Sequence, residues 1–463
     1  MKKFFDFLII GAGPAGYTAA IRAAQLGAKV GVIEKDDLGG TCLNKGCIPT
    51  KLLVTTAHIL DCLKKAKEFG IFIEEKKIDF PSIMNKKERI IKQLKNGIKY
   101  LLKSYNIETI KGNAYFVSTS EVRAEGEIFG FKKCIIATGS YPSNIPGINV
   151  DHKHIMTSDD MLSINKIPSS LLIIGGGVIG LEFAYIFQSF GTKVSVIEVL
   201  PSILPNEDRE VSKALEKNFK ERGIDIKTNT IVKTLKYLSE GIEAVLESPK
   251  GLDRLLVEKV LIAVGRKACI KGLGLENIGI NCEDNKIVVN EKMETNIKGI
   301  YAIGDVTGAP FLAHKAYAQA IVAVENAMGK EAIIDYKAMP RCIFTSPEVA
   351  SVGLTETEAK KYRIKIGKFP FMANGKAITM GETEGFIKVV ADRDSDKVLG
   401  IHIIGIQATE LIAHASLAIK LQCTTRELTR IIYPHPTLSE AIFQAVLDVN
   451  KISTDLPSKH KVN

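Results

Sequence analysis

Cys42 and Cys47, in the segment Gly39-Gly40-Thr41-Cys42-Leu43-Asn44-Lys45-Gly46-Cys47-Ile48-Pro49-Thr50-Lys51, have the most specific chemistry in the chain, because two neighbouring thiols can cycle between dithiol and disulfide. In an unbroken helix a spacing of five separates the Cα atoms by roughly 7.5 Å, at or beyond disulfide reach, so the segment must distort for the sulfurs to meet. Gly46 permits that distortion. Pro49 suits the first turn of a helix, whose free N–H groups favour a thiolate at Cys47. Spacing alone fits two unpaired core cysteines equally well. The surrounding elements favour the redox reading.

Upstream lies the apolar run Phe7-Leu8-Ile9-Ile10, then Gly11-Ala12-Gly13-Pro14-Ala15-Gly16, an alanine-rich helical stretch to Gly27, and a second strand from Lys29 to Ile33 ending in Glu34. This βαβ pattern predicts a dinucleotide site. Gly11 allows the tight turn, Gly13 admits a pyrophosphate to the backbone, Gly16 lets helix and strand pack closely, and Glu34 would hold a ribose. The pattern recurs in Ser170 to Ile174, Gly175-Gly176-Gly177-Val178-Ile179-Gly180, and a strand from Lys193 to Ile197 ending in Glu198. The first glycine precedes the acid by 34 − 11 = 23 positions in one copy and 198 − 175 = 23 in the other, so two folds of one design and two cofactors are expected. A carboxylate at Glu198 accepts hydrogen bonds from free ribose hydroxyls and repels a 2′-phosphate, so the nicotinamide carrier expected is NAD.

With these motifs, and with Ala137-Thr138-Gly139-Ser140, Ala263-Val264-Gly265-Arg266, Tyr301-Ala302-Ile303-Gly304-Asp305, Leu312-Ala313-His314-Lys315-Ala316 and His435-Pro436-Thr437-Leu438-Ser439-Glu440, the chain resembles the pyridine nucleotide-disulfide oxidoreductases nearly end to end. It departs at Lys267-Ala268-Cys269, where that family usually has a proline and an asparagine. The resemblance implies an α/β fold: two Rossmann-like dinucleotide-binding domains, for FAD and NAD, plus a carboxy-terminal α+β dimerisation domain. The expected divisions are 1–142 for FAD, 143–265 for NAD, 266–336 as a central segment completing the FAD site, and 337–463 as the interface domain.

The resemblance also assigns roles. Asp305, the backbone at Ala313 and Ala114, and the Thr138-Gly139-Ser140 turn would contact the flavin nucleotide. Lys51 would lie beside the flavin ring, paired with Glu182, while the second glycine motif, Ile179 and Gly265 would serve the nicotinamide nucleotide. Cys42 would be the exchange sulfur and Cys47 the flavin-facing one. His435 would act as the base in thiol exchange, oriented by Glu440 and reaching the partner subunit's site in a homodimer. The implied reaction is oxidation of protein-bound dihydrolipoyl groups with reduction of NAD, on the lipoyl domains of 2-oxo acid dehydrogenase or glycine cleavage complexes. Another NAD(P)H-dependent disulfide reductase is the alternative. Glutathione reduction is disfavoured by Glu198, and mercuric reduction by the absence of a cysteine pair near the end, the last cysteine being Cys423.

Composition agrees with a large soluble enzyme: 463 residues suggest about three domains, and 46% apolar with 25% charged residues is ordinary globular usage. Lys2-Lys3 before an apolar run imitates a signal peptide, but Asp6 interrupts it and the glycines follow at once, so the run is read as a strand. No apolar stretch is long enough to span a bilayer, and the expected location is the cytoplasm. The other six cysteines are scattered without metal-type clustering, and no metal site is expected. Asp392-Arg393-Asp394-Ser395-Asp396 opens like a calcium loop but lacks the needed glycine and distal glutamate, and reads as a hairpin turn. The net charge of +10 could suggest a nucleic-acid module, but the lysines spread along helices such as 80–104, where apolar residues recur at helical spacing; they read as a solvated face, and no nucleic-acid partner is expected.

Overall fold

The computed structural model describes residues 3–74 and 77–457, so Lys2 of the opening basic pair lies outside it. Its first sheet is built around the strand Lys3–Ile10, which pairs in parallel with Val30–Glu34 on one side and Glu127–Ile136 on the other. Glu108–Lys111 extends one edge, and an antiparallel meander from Tyr115 extends the other. Phe7 to Ile10 are all buried, as a parallel strand covered on both faces requires. The helix Pro14–Gln25 lays Ala15, Ala19, Ala20 and Ala23 on that sheet, small side chains that allow close approach.

The second sheet is entirely parallel, with Ser170–Ile174 between Lys193–Ile197 and Lys259–Ile262. Its crossover helix, Val178–Ser189, is buried on nearly every face. Such all-round burial needs cover on the side away from the sheet, and the helix Cys47–Lys65 packs there. The chain then returns to the first sheet through Ile300–Ala302, which pairs in parallel with Cys134 to Ile136. A short antiparallel pair, Ser140–Pro142 with Arg266–Ala268, ties the two crossings between the sheets together.

The carboxy-terminal part is a five-stranded antiparallel sheet, with Glu348–Gly353, Val398–Gly405 and Phe386–Asp392 at its centre. The helices Ala408–Lys420 and Glu440–Val449 pack against it in one apolar core. The segment Asp392 to Asp396 does turn between two adjacent strands, and Asp392 accepts from its own turn residue Ser395. Among the described residues no group of three or more potential ligands is placed to hold a metal, and no helix is long and apolar enough to cross a membrane.

The helix Phe80–Ser104 matches its expected span, but its lysines are not uniformly solvated. Lys87 is buried, donating to the Leu162 carbonyl and pairing with Glu88. A long aliphatic stem lets this side chain run through buried surroundings while its ammonium meets an acceptor.

Candidate functional site

The redox segment distorts where glycine permits it. A short helix, Gly40–Lys45, ends at Gly46, and a new helix starts at Cys47. A Cβ on Gly46 would lie 3.0 Å from the Thr41 carbonyl oxygen, so a side chain there would crowd the break. Both thiols are free, and the Cys42 thiol donates a hydrogen bond to the Cys47 sulfur. That bond, with the Lys51 ammonium one turn further on, outweighs burial and pulls Cys47 down to about 7. The same bond and burial push Cys42 up. The two sulfurs are therefore unequal: their interaction favours negative charge on Cys47 and the proton on Cys42.

Lys51 is held from two sides. Its Nζ lies 2.8 Å from both carboxylate oxygens of Glu182 and 4.3 Å from the centre of the Phe344 ring. Glu182 Oε1 also accepts from the Phe344 backbone N–H at 3.0 Å. Tyr17 and Tyr317 lie near the thiols, with their hydroxyls 2.7 Å apart; burial raises the Tyr17 phenol, as do its Tyr317 partner and negative charge on the cysteines.

One cavity of about 1170 Å³ gathers these groups. Its walls include Gly11, Gly13, Glu34, Cys42, Cys47, Lys51, Ala114, Thr138, Gly139, Ser140, Ile179, Glu182, Asp305 and Ala313. Gly16, Gly175, Gly177, Gly180, Glu198 and Gly265 lie outside its lining, as do His435 and Glu440. For Gly16 and Gly180 the reason is packing: a Cβ there would sit 1.8 Å from the Gly11 oxygen and 2.1 Å from the Gly175 oxygen. Gly11 and Gly175 take φ of +100° and +115°, and a Cβ on either would meet a neighbouring carbonyl oxygen at 2.4 Å.

The two copies are thus superimposable in design. Each fingerprint helix starts at a glycine, Gly13 or Gly177, with no side-chain cap. Space at Gly177 is open, and at Gly13 the nearest atom to an added Cβ is 3.8 Å away. Uncapped first-turn N–H groups beside open space are the donor set a pyrophosphate needs. The acids correspond as well. Glu34 accepts from the Ala12 and Asp36 backbone at 2.6 and 2.8 Å, and Glu198 from Gly176 and Leu200 at 2.7 and 2.8 Å.

Ser140 Oγ donates to Asp305 at 2.5 Å and accepts from Arg266 Nε at 2.8 Å, a chain that fixes the Asp305 carboxylate at the cavity wall. Thr138 Oγ1 donates to the Cys269 carbonyl, and the Cys269 N–H donates to the Gly139 carbonyl. The departure at 267–269 therefore leaves the link intact, because Cys269 takes part in it only through backbone atoms. At the far end of the chain, His435 Nδ1 lies 2.9 Å from Glu440 Oε1, and Glu440 Oε2 accepts from the Thr437 N–H at 2.7 Å.

Residues 5–320 match the pyridine nucleotide-disulphide oxidoreductase family, and residues 339–446 match its dimerisation domain. The chain belongs to that family. Among relatives, it is 44% identical over 465 residues to a dihydrolipoyl dehydrogenase of Bacillus subtilis, covering 96% of this chain and 98% of the relative. A dihydrolipoyl dehydrogenase of Thermus scotoductus is 42% identical over 455 residues, with 97% and 98% covered. The crystal structure of LpdA from Mycobacterium tuberculosis superposes with a TM-score of 0.89 at 27% identity, covering 96% of this chain and 99% of that one.

Phe344, Arg266 and the Tyr17–Tyr317 pair were not assigned roles from sequence. Arg266 stood inside a quoted motif and could have been found by asking what its guanidinium pairs with. Phe344 sits after a strand-like run and gives no signal of its own.

Proposed function

We propose that this protein oxidises protein-bound dihydrolipoyl groups to lipoyl groups and reduces NAD to NADH, with FAD as bound intermediary. The reading is carried by the meeting of Cys42, Cys47 and Lys51 with Glu182 in the cavity that the first glycine motif opens. Overall, dihydrolipoyl dithiol and NAD⁺ give the cyclic disulfide, NADH and one proton. When bound, the flavin supplies a two-electron relay between the dithiol and the nicotinamide.

The remaining steps belong to the chain's own residues. In the Cys42–Cys47 disulfide state, His435 accepts a proton from the substrate thiol, and the resulting thiolate attacks Cys42 Sγ. The Cys42–Cys47 bond breaks and Cys47 leaves as thiolate, which the Lys51 ammonium stabilises. The second substrate thiol displaces Cys42 and closes the lipoyl disulfide; its proton passes to the departing Cys42 sulfur, which leaves as a thiol, while the proton held by His435 is the one released overall. Glu440 orients the imidazole through Nδ1, leaving Nε2 to take the proton. Glu34 fastens the flavin-side ribose, and Gly175, Gly177, Ile179, Gly180, Glu198 and Gly265 form the nicotinamide-nucleotide site.

The functional unit is a homodimer in which His435 serves the partner's dithiol. The exposed imidazole and the match to a dimerisation domain support this. We place the enzyme in the cytoplasm, serving lipoyl domains of 2-oxo acid dehydrogenase or glycine cleavage complexes, and retain the divisions 1–142, 143–265, 266–336 and 337–463. The test is a panel of dithiol and disulfide substrates with NAD and NADP on purified, flavin-loaded protein. Dihydrolipoamide with NAD should dominate. A preference for another disulfide with NADPH would replace this reading.

A further inference from the structure

Lys51 is a cation whose charge bears on both cysteines of the redox pair, yet its side chain remains about one-third exposed and rides on a flexible four-carbon stem. A charge so placed can swing away from a thiolate unless something besides its counter-ion confines it. Glu182 supplies one wall, a buried carboxylate from the crossover helix Val178–Ser189. The opposite contact comes from a different part of the fold: Phe344, just beyond the strand Arg341–Ile343 and within the region matched to the dimerisation domain.

The ring centre is 4.3 Å from Lys51 Nζ, within the range where the negative face of an aromatic ring attracts a cation. The backbone N–H of the same residue donates to Glu182 Oε1. Phe344 thus touches both members of the ion pair, one through its side chain and the other through its main chain. The titratable groups facing Cys47 are Cys42, Lys51 and Glu182, with the Tyr17 and Tyr317 phenols also near. Of these, Lys51 alone brings positive charge.

We propose that Phe344 is a positioning residue of the redox centre: its ring, acting with Glu182, confines the Lys51 ammonium where it stabilises the Cys47 thiolate. The proposal rests on the functional reading only in taking Cys47 as the working thiolate. It makes the thiolate's readiness depend on the carboxy-terminal domain of the same chain.

The test follows carbamidomethylation of Cys47 by iodoacetamide against pH, read by peptide mass spectrometry, in flavin-loaded Cys42→Ser protein. Phe344→Leu and Phe344→Met remove the ring and keep the backbone donor; Phe344→Tyr keeps both. The ring-free variants should raise the midpoint by about half a pH unit or more, or about threefold less thiolate at a fixed pH below it. The Tyr variant should match the parent. Unchanged midpoints in the Leu and Met variants would overturn the proposal, and so would a Tyr variant shifted as far as they are. Loss of flavin from both ring-free variants would also overturn it, since the ring would then serve packing. If the unmutated protein fails to oxidise dihydrolipoamide, the functional reading falls while the midpoint comparison still stands.

Discussion

His435 holds Glu440 at 2.9 Å through Nδ1 while four-fifths of its own side chain stays open to solvent. The pair lies outside the lining of its own chain's dithiol cavity. Its geometry suits a site that a second copy completes.

His435→Gln should therefore lower the thiol half-reaction by roughly 10²- to 10⁴-fold while flavin content stays normal. Stopped-flow reduction by dihydrolipoamide measures the first and the visible spectrum the second. Heterodimers pairing this variant with Cys42→Ser should regain partial activity, because one complete site assembles. No recovery in verified heterodimers would reject the shared site.

Replacing the two cysteines should separate their colours. In Cys42→Ser, Cys47 keeps Lys51 beside it, and above its midpoint a long-wavelength charge-transfer band should be present without reductant. The Cys47 midpoint should lie above about 7 to the extent that the shorter serine side chain fails to reach Cys47 and replace the Cys42 hydrogen bond, the main cause of the depression. The band should fade as pH falls through that new midpoint, since protonation removes the donor. Cys47→Ser should show none. The opposite pattern would exchange the roles of the two sulfurs.

Lys51→Met leaves the buried Glu182 carboxylate without its cation. Breaking a fully buried pair costs about 3–5 kcal/mol, but Lys51 is partly solvated, so the expected loss is about 1–3 kcal/mol. Thermal unfolding of the flavin-loaded protein reads this as a lower Tm. An unchanged Tm would mean that water replaces the ammonium freely.

Gly16→Ala and Gly180→Ala should dissociate the two nucleotide sites. Each introduces a Cβ that overlaps a backbone oxygen, at 1.8 Å in the first case and 2.1 Å in the second. The first should yield protein poor in flavin. The second should retain flavin but lose NADH binding, measured by calorimetry or by reduction of the visible spectrum. Equal loss of both ligands would show that the folds are not independent.

Much of this was legible because local pattern and local chemistry coincide. The glycine motifs each lie between an apolar strand and a helix, and their acids recur at one spacing, so turn geometry and ligand chemistry can be read from contiguous residues. The span of the helix Phe80–Ser104 follows from Asp79 capping its start and from apolar periodicity. The Lys51–Phe344 contact was not legible. A phenylalanine in an apolar run has the same pattern whether it fills a core or faces a cation, and only the tertiary fold brings the two together. Lys87 escaped notice for the converse reason: a lysine in a basic helix carries no mark of burial.

The hydrogen bonds of Glu198 bear on attempts to re-engineer the cofactor. Its two oxygens accept from the Gly176 and Leu200 backbone, so the residue that would refuse a 2′-phosphate also shapes the loop it stands in. Exchanging it for an apolar or basic side chain, which has no acceptor, leaves two N–H groups without their partner, at about 1–3 kcal/mol for each that stays buried. Switching this enzyme to the phosphorylated dinucleotide therefore calls for transplanting the whole turn as a cassette, with its own way of satisfying those amides.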